Sequence, residues 1–382
     1  MKAALVIPSP GFRLGYRPAL DGLRGLAVAV VILLHYGVPW AGGGWVGVDI
    51  FFVLSGFLIT ALLLQEWQQT AAISLRRFYL RRVLRLLPAV LLLLAFCWWF
   101  AQHHLPHAQR PLTRQGAYSV LLYYANWRII HAGPQPGDLL LHTWSLSVEE
   151  QFYFLWPAAL WALLRLRRRT VALIVLAALV ASAVLRACLW TGTGSYIELY
   201  MRLLTRADTL LAGCLTALLV TWRGLPQSRR GRWLLHAAAG AALVYLGWVV
   251  VAGRQIDFFC YYGGFTLTAA AVAVLLVALL SAPPRPVAWV FESSPLTWLG
   301  RVSYGLYLWH YPLWVVHGLY ILWLDKLLGL RIPAWLIAPV CFAVALVPTL
   351  LSFYLVERPC LRLKRRWESK APAANPPLRT AA

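Results

Sequence analysis

An all-α fold, a polytopic bundle of about ten membrane-spanning helices with both termini cytosolic, is what this sequence predicts. Three observations lead there. Of 382 residues, 61% are hydrophobic and only 13% charged, whereas soluble domains carry about 25% charged residues. Apolar runs of roughly 20 residues, enough to cross a bilayer, recur along the whole chain. The 35 Lys and Arg, which give a formal net charge of +22, cluster at the ends of those runs. The runs are continuous and lack the period-two alternation of a transmembrane barrel.

In chain order the spans read as 22–40, 45–64, 84–101, 146–164, 171–190, 206–222, 233–252, 262–281, 300–324 and 334–356. The stretch 116–131, GAYSVLLYYANWRIIH, is short and interrupted by Asn126 and Arg128, so it reads as re-entrant or interfacial. With that stretch not crossing and the N-terminus inside, 26 of the 35 Lys and Arg fall on the cytosolic side, as the positive-inside rule requires. Letting it cross would put the RLRRR run at 165–169 outside and invert everything after it. Residues 1–15 read as a cytosolic segment, 16–360 as the transmembrane domain, and 361–382 as a basic tail whose Ala- and Pro-rich end is expected to be disordered. Neither a cleavable signal peptide nor an added soluble catalytic domain is expected.

The placement of charge argues against nucleic acid, which would need basic residues concentrated on one domain. It fits anionic membrane lipid instead. Six scattered Cys form no CxxC pair, so neither a disulfide framework nor a metal site is expected. His103, His104 and His107 lie close together, but Pro106 breaks the helix that paired ligation would need.

Ionisable groups inside spans are costly and are functional hypotheses by default. In ALDGLRGLAVAVVILLHY, Arg24 and His35 share a helix face roughly 16 Å apart. Arg24 is expected at the cytosolic boundary, with His35 deep in the membrane. Asp49, in VGVDIFFVLSGFLIT, falls level with His35 if the first two spans form a hairpin closed at Gly42–Gly44. A His–carboxylate pair would suit general-base work, the carboxylate fixing the imidazole tautomer. The alternative is that His35 bonds a carbonyl and Asp49 caps the second helix.

In FYLRRVLRLLP, Arg82 and Arg85 share a face at i, i+3 beside Arg81. They read either as topology anchors or as a bidentate phosphate site. In HTWSLSVEEQFYFLWP, Ser147 and Glu150 fit a capping box. Two carboxylates, Glu149 and Glu150, exceed what a cap needs, so Glu150 reads equally well as pointing into the bundle. In GRVSYGLYLWHYPLW, aromatic belts account for Tyr304 and its neighbours but not for His310. Glu357 and Arg358 end the last span as an interfacial ion pair.

Taken in order, ALDGLRGLAVAVVILLH, GGGWVGVDIFFVLSGFLI, FYLRRVLRLLPA, HTWSLSVEEQFYFLWP, GRVSYGLYLWHYPL and YLVERP resemble the blocks of acyltransferase family 3, over about residues 16–360. The resemblance implies a ten-span bundle in the bacterial cytoplasmic (inner) membrane. It also implies transfer of an acyl group, commonly acetyl, from cytosolic acyl-CoA to a hydroxyl of a glycan, lipid-linked sugar or other exported acceptor. The donor is then a co-substrate, with no metal. The family's R-x10-H motif falls on Arg24 and His35, and its RxxR motif on Arg82 and Arg85. Its acidic and aromatic blocks fall on Asp49, Ser55, Glu149, Glu150, Tyr304, His310 and Glu357. These assign catalysis to His35, Asp49, Arg24 and Glu150, CoA phosphates to Arg82, Arg85 and Arg81, and the remaining positions to substrate binding or site structure. Direct transfer and an acyl-His intermediate both stay open. The rival class is a proton-coupled exporter using His35, Asp49 and Glu150 as a relay. It has no need of a paired Arg face and usually shows internal repeats, and none is evident.

Overall fold

The computed structural model describes residues 12–360 and 362, apart from 193, 195, 282 and 330–332. The tail from 363, and most of the expected N-terminal segment, lie outside the described residues. Among the described residues the chain is helical throughout, with no strand. Eight helices are long and apolar enough to cross a membrane, so the polytopic all-α bundle stands.

The first half comprises α1 (Pro18–His35), α2 (Val46–Thr70), α3 (Leu75–His104), α4 (Arg110–Leu121), α5 (Ala125–Ala132), α6 (Trp144–Leu163) and α7 (Arg168–Leu189). The second comprises α8 (Tyr196–Met201), α9 (Leu203–Arg223), α10 (Arg229–Ala252), α11 (Phe265–Leu280), α12 (Arg285–Phe291), α13 (Ser294–Leu328) and α14 (Ala334–Leu351). The stretch expected not to cross is broken between α4 and α5, where Tyr123 adopts φ +54°. At 12 and 8 residues, these helices reach only about 18 and 12 Å, too short to span. α6 and α13, at 20 and 35 residues, occupy two of the expected spans and have the length, but their sequences are more polar than those of the eight.

α1 packs along α13, and α2 packs along α9. Lipid tails offer no hydrophobic gain from helix contact, so close backbone approach drives such pairs. Gly56 of α2 and Gly213 of α9 meet reciprocally: a methyl on Gly56 would overlap the Leu210 carbonyl, and one on Gly213 the Val53 carbonyl. The core lies between α1, α2, α9 and α11, where Leu23, Phe57, Leu210 and Val272 are fully buried. By contrast, Trp233, Val244 and Trp248 of α10 are more than half exposed, the pattern of a lipid-facing surface.

The α1–α2 register decides two expectations. Gly44 backs on the Val30 carbonyl and Gly47 on the Ala27 carbonyl. Asp49 is therefore opposite the turn around Gly25, and His35 stands about 15 Å farther along α1. Hairpin closure is not symmetric about Gly42–Gly44. Residues 36–45 form a long non-helical link in which Gly43 N–H bonds the Val250 carbonyl at 2.9 Å, drawing the loop onto α10. The same register puts Arg24 opposite Ile50, roughly 30 Å along α2 from Thr70. Arg24 lies in the second turn of α1 and is partly buried.

Candidate active site

A cavity of about 1020 Å³ runs beside α2. Its lining follows one α2 face from Val48 through Ser55, Leu62 and Glu66 to Thr70, a path of about 33 Å. Eight of the residues singled out in the sequence meet on its walls: Arg24, Ser55, Arg81, Arg82, Arg85, Glu149, Glu150 and Tyr304. Six arginines and three glutamates line it in all, so the cavity is net positive and suited to a polyanion.

The charges are tethered rather than loose. Toward the Thr70 end, Arg81 pairs with Glu66 at 3.3 Å, and Glu66 also accepts the Ser74 N–H at 3.0 Å. Deeper in, Glu149 accepts hydrogen bonds from Ser55 Oγ and Tyr153 OH. The Arg82 guanidinium lies 3.6 Å over the Tyr153 ring, a cation–π contact that leaves its N–H fork free of a protein carboxylate. Tyr304 OH donates to the Leu86 carbonyl at 3.1 Å and fixes α13 against α3. Glu150 Oε1 is buried without a hydrogen-bond partner.

Tyr307 lines the cavity near the Val48 end of that α2 face, against Phe51. Its hydroxyl lies 2.5 Å from Ser145 Oγ and donates to the His142 carbonyl at 2.8 Å. Tyr307 and Ser145 both line the cavity. Behind Tyr307 sits a histidine cluster: the His310 and His142 rings are each 5.5 Å from the Tyr307 ring centroid.

Within the cluster, His310 Nε2 is 3.0 Å from His35 Nδ1. The tautomers follow from the network. His310 Nδ1 is 2.7 Å from the Tyr307 carbonyl oxygen, which can only accept, so Nδ1 carries the proton. Neutral His310 then offers a bare Nε2, to which His35 Nδ1–H donates. This leaves the lone pair of His35 on Nε2, the arrangement a general base requires.

The expected His35–Asp49 pair does not form. The Asp49 carboxylate, fully buried, pairs with fully buried Arg206, and the register above separates it from His35. The side chain hydrogen-bonded to His35 is His310 and not Asp49. Beside this pair, Arg186 binds Asp208 through both guanidinium nitrogens at 2.9 Å, and Thr266 bridges the two. Arg206 also lies 3.8 Å over the Phe265 ring. Two cations and two anions thus balance one another in the core. Glu357 accepts from Ser352 Oγ at 2.9 Å and lies within electrostatic range of Arg85, so its partners are internal rather than Arg358.

Sequence reasoning missed His142, Tyr153, Arg186, Arg206 and Asp208. The last three had a signal: they are ionisable residues inside apolar segments, but the arginines were counted as outer charges.

The family model described as an acyltransferase domain matches residues 17–354. The chain is 35% identical over 308 residues to the peptidoglycan O-acetyltransferase OatA of Listeria monocytogenes, covering 78% of this chain and 49% of that one. It is 34% identical over 309 residues to the O-acetyltransferase OatA of Staphylococcus aureus, covering 78% and 50%. The chain therefore spans about half the length of these curated relatives. No solved structure matches it.

Proposed function

This chain belongs to the acyltransferase family, and on that premise we propose that it moves an acetyl group from cytosolic acetyl-CoA to a hydroxyl of a cell-surface glycan. The observation that carries the reading is a net-positive cavity that reaches Tyr307, with a histidine behind it whose Nε2 is free to accept a proton. Arg82, Arg85 and Arg24 would hold the CoA phosphates, as bidentate cations do, with Arg81 and Glu66 at the mouth. The pantetheine arm would run along the apolar face of α2 and bring the thioester to Tyr307.

The acceptor would approach from the other end of the bundle. His35 Nε2 takes the proton of the acceptor hydroxyl while its oxygen attacks the thioester carbon. Collapse of the tetrahedral intermediate breaks the C–S bond, and the imidazolium returns the proton to the departing thiolate. Ester and free thiol are the products, and His35 ends as it began. Asp49 has no step in this scheme; its role is the buried pair with Arg206. Glu150, with its free buried oxygen, and Glu149, with Ser55 and Tyr153, shape the phosphate region.

Counting α6 and α13 as spans gives ten, with both ends in the cytosol of a bacterium and the protein in its cytoplasmic membrane. The relative from Listeria monocytogenes is a peptidoglycan O-acetyltransferase, which makes peptidoglycan the first acceptor to test. Membranes containing the protein, incubated with acetyl-labelled acetyl-CoA, should yield glycan from which mild base releases labelled acetate. Glycan label no higher than in membranes lacking the protein would reject the reading.

A further inference from the structure

We propose that His142 is a second acceptor-binding residue, whose ring nitrogen holds a further hydroxyl of the glycan while His35 activates the one to be acetylated. The inference rests on the acyl-transfer reading above and narrows its acceptor to a polyol.

His142 stands in the short turn Leu141–Thr143 that leads into α6. The residue is 2% exposed, and among the described residues neither ring nitrogen has a hydrogen-bond partner. A buried imidazole left this way forfeits the exchange of water hydrogen bonds for protein ones, which is costly. Fully buried polar groups in folded chains are nearly always satisfied, so such an exception calls for a partner. The Leu308 carbonyl approaches the ring without meeting hydrogen-bond geometry. A carbonyl can engage only an N–H, so the other nitrogen presents a lone pair to a donor.

The position of the ring says what that donor is. His142 is stacked on Tyr311 at 5.1 Å, and His35 meets the same Tyr311 ring edge-on at 5.1 Å. His310 is 5.5 Å from His142 and 5.1 Å from His35. His35 and His142 thus pack against one Tyr311 ring, each with a ring nitrogen left for an outside donor. An anion would find no cation here, and an ammonium no carboxylate, among the groups forming this cluster. A neutral hydroxyl can donate to each imidazole, and a sugar ring supplies several. A simple alcohol would satisfy His35 alone.

The test compares His142→Phe, which keeps a ring of similar shape without nitrogens, with His142→Gln, whose amide oxygen still accepts. Labelled acetyl transfer to endogenous glycan is measured in membranes, per folded protein quantified by size-exclusion chromatography. For H142F, transfer should fall roughly tenfold with an unchanged KM for acetyl-CoA, and H142Q should recover to within about threefold of the parent. Full activity in H142F, or equal losses in H142F and H142Q, overturns the proposal. So does failure of both variants to fold, which assigns His142 to the structure. His35→Ala is run alongside: if it stays active, the acyl-transfer reading fails at its base, whatever His142 does.

Discussion

The pairing of Asp49 with Arg206 can be tested by breaking it one side at a time and then removing it whole. Both side chains are fully buried, and Arg206 has Nε and Nη1 without hydrogen bonds. Asp49→Leu would leave a guanidinium with the Phe265 and Tyr200 rings, at 3.8 and 4.9 Å, and with Asp208, already bound by Arg186, as the nearby anion. Arg206→Met would leave a buried carboxylate with no partner. Removing one member of a buried pair costs about 3–5 kcal/mol, whereas replacing both by apolar residues is often neutral or stabilising. Each single variant should therefore lose most of its thermal stability in detergent, monitored by intrinsic fluorescence of the 20 tryptophans. The double variant should regain stability to within about 1–2 kcal/mol of the parent. It should also transfer acetyl groups within a few-fold of the parent rate. A double variant that is stable but inactive would refute the structural role and return Asp49 to the chemistry. Additive losses in the double variant would show that the two side chains do not act as a pair.

Three further outcomes follow from the site. His310→Phe removes the acceptor that fixes the tautomer of His35, so kcat should fall by about 10²–10⁴-fold with an unchanged KM for acetyl-CoA; a KM effect alone would move His310 to donor binding. Arg85→Ala should raise the KM for acetyl-CoA about 10- to 100-fold, the worth of a hydrogen bond to a charged group; initial rates against donor concentration decide it, and an unchanged KM would make Arg85 a topology anchor. Gly213→Leu cannot be accommodated against the Val53 carbonyl, so it should destabilise the α2–α9 contact by at least about 1–3 kcal/mol; a melting temperature equal to the parent's would show that the helices can part without loss.

Much of the fold was legible because a span is a local property. The runs 45–64 and 171–190 need no knowledge of their neighbours, and the helices Val46–Thr70 and Arg168–Leu189 cover them. Third-span limits were less legible: α3 starts at Leu75, ahead of the apolar run at 84, because its arginines face a cavity and pay no cost of lipid exposure. Which residues gather at the site was legible in part, since Arg82 and Arg85 share a helix face by spacing alone. Their partners were not. His35 meets His310 across 275 positions, and Asp49 meets Arg206 across 157. No periodicity encodes such contacts. The His35–Asp49 expectation failed for a related reason: it assumed a symmetric hairpin, while docking of Gly43 on α10 shifted the register. Counting Arg206 as an outer charge hid the carboxylate's real partner.

The most direct test of the account is acetyl transfer by His35→Ala in membranes, measured with labelled acetyl-CoA and extracted glycan beside the parent protein. The account predicts a variant that folds, inserts and still binds acetyl-CoA, with glycan label at the level of membranes lacking the protein. Transfer at the parental rate by His35→Ala would contradict it.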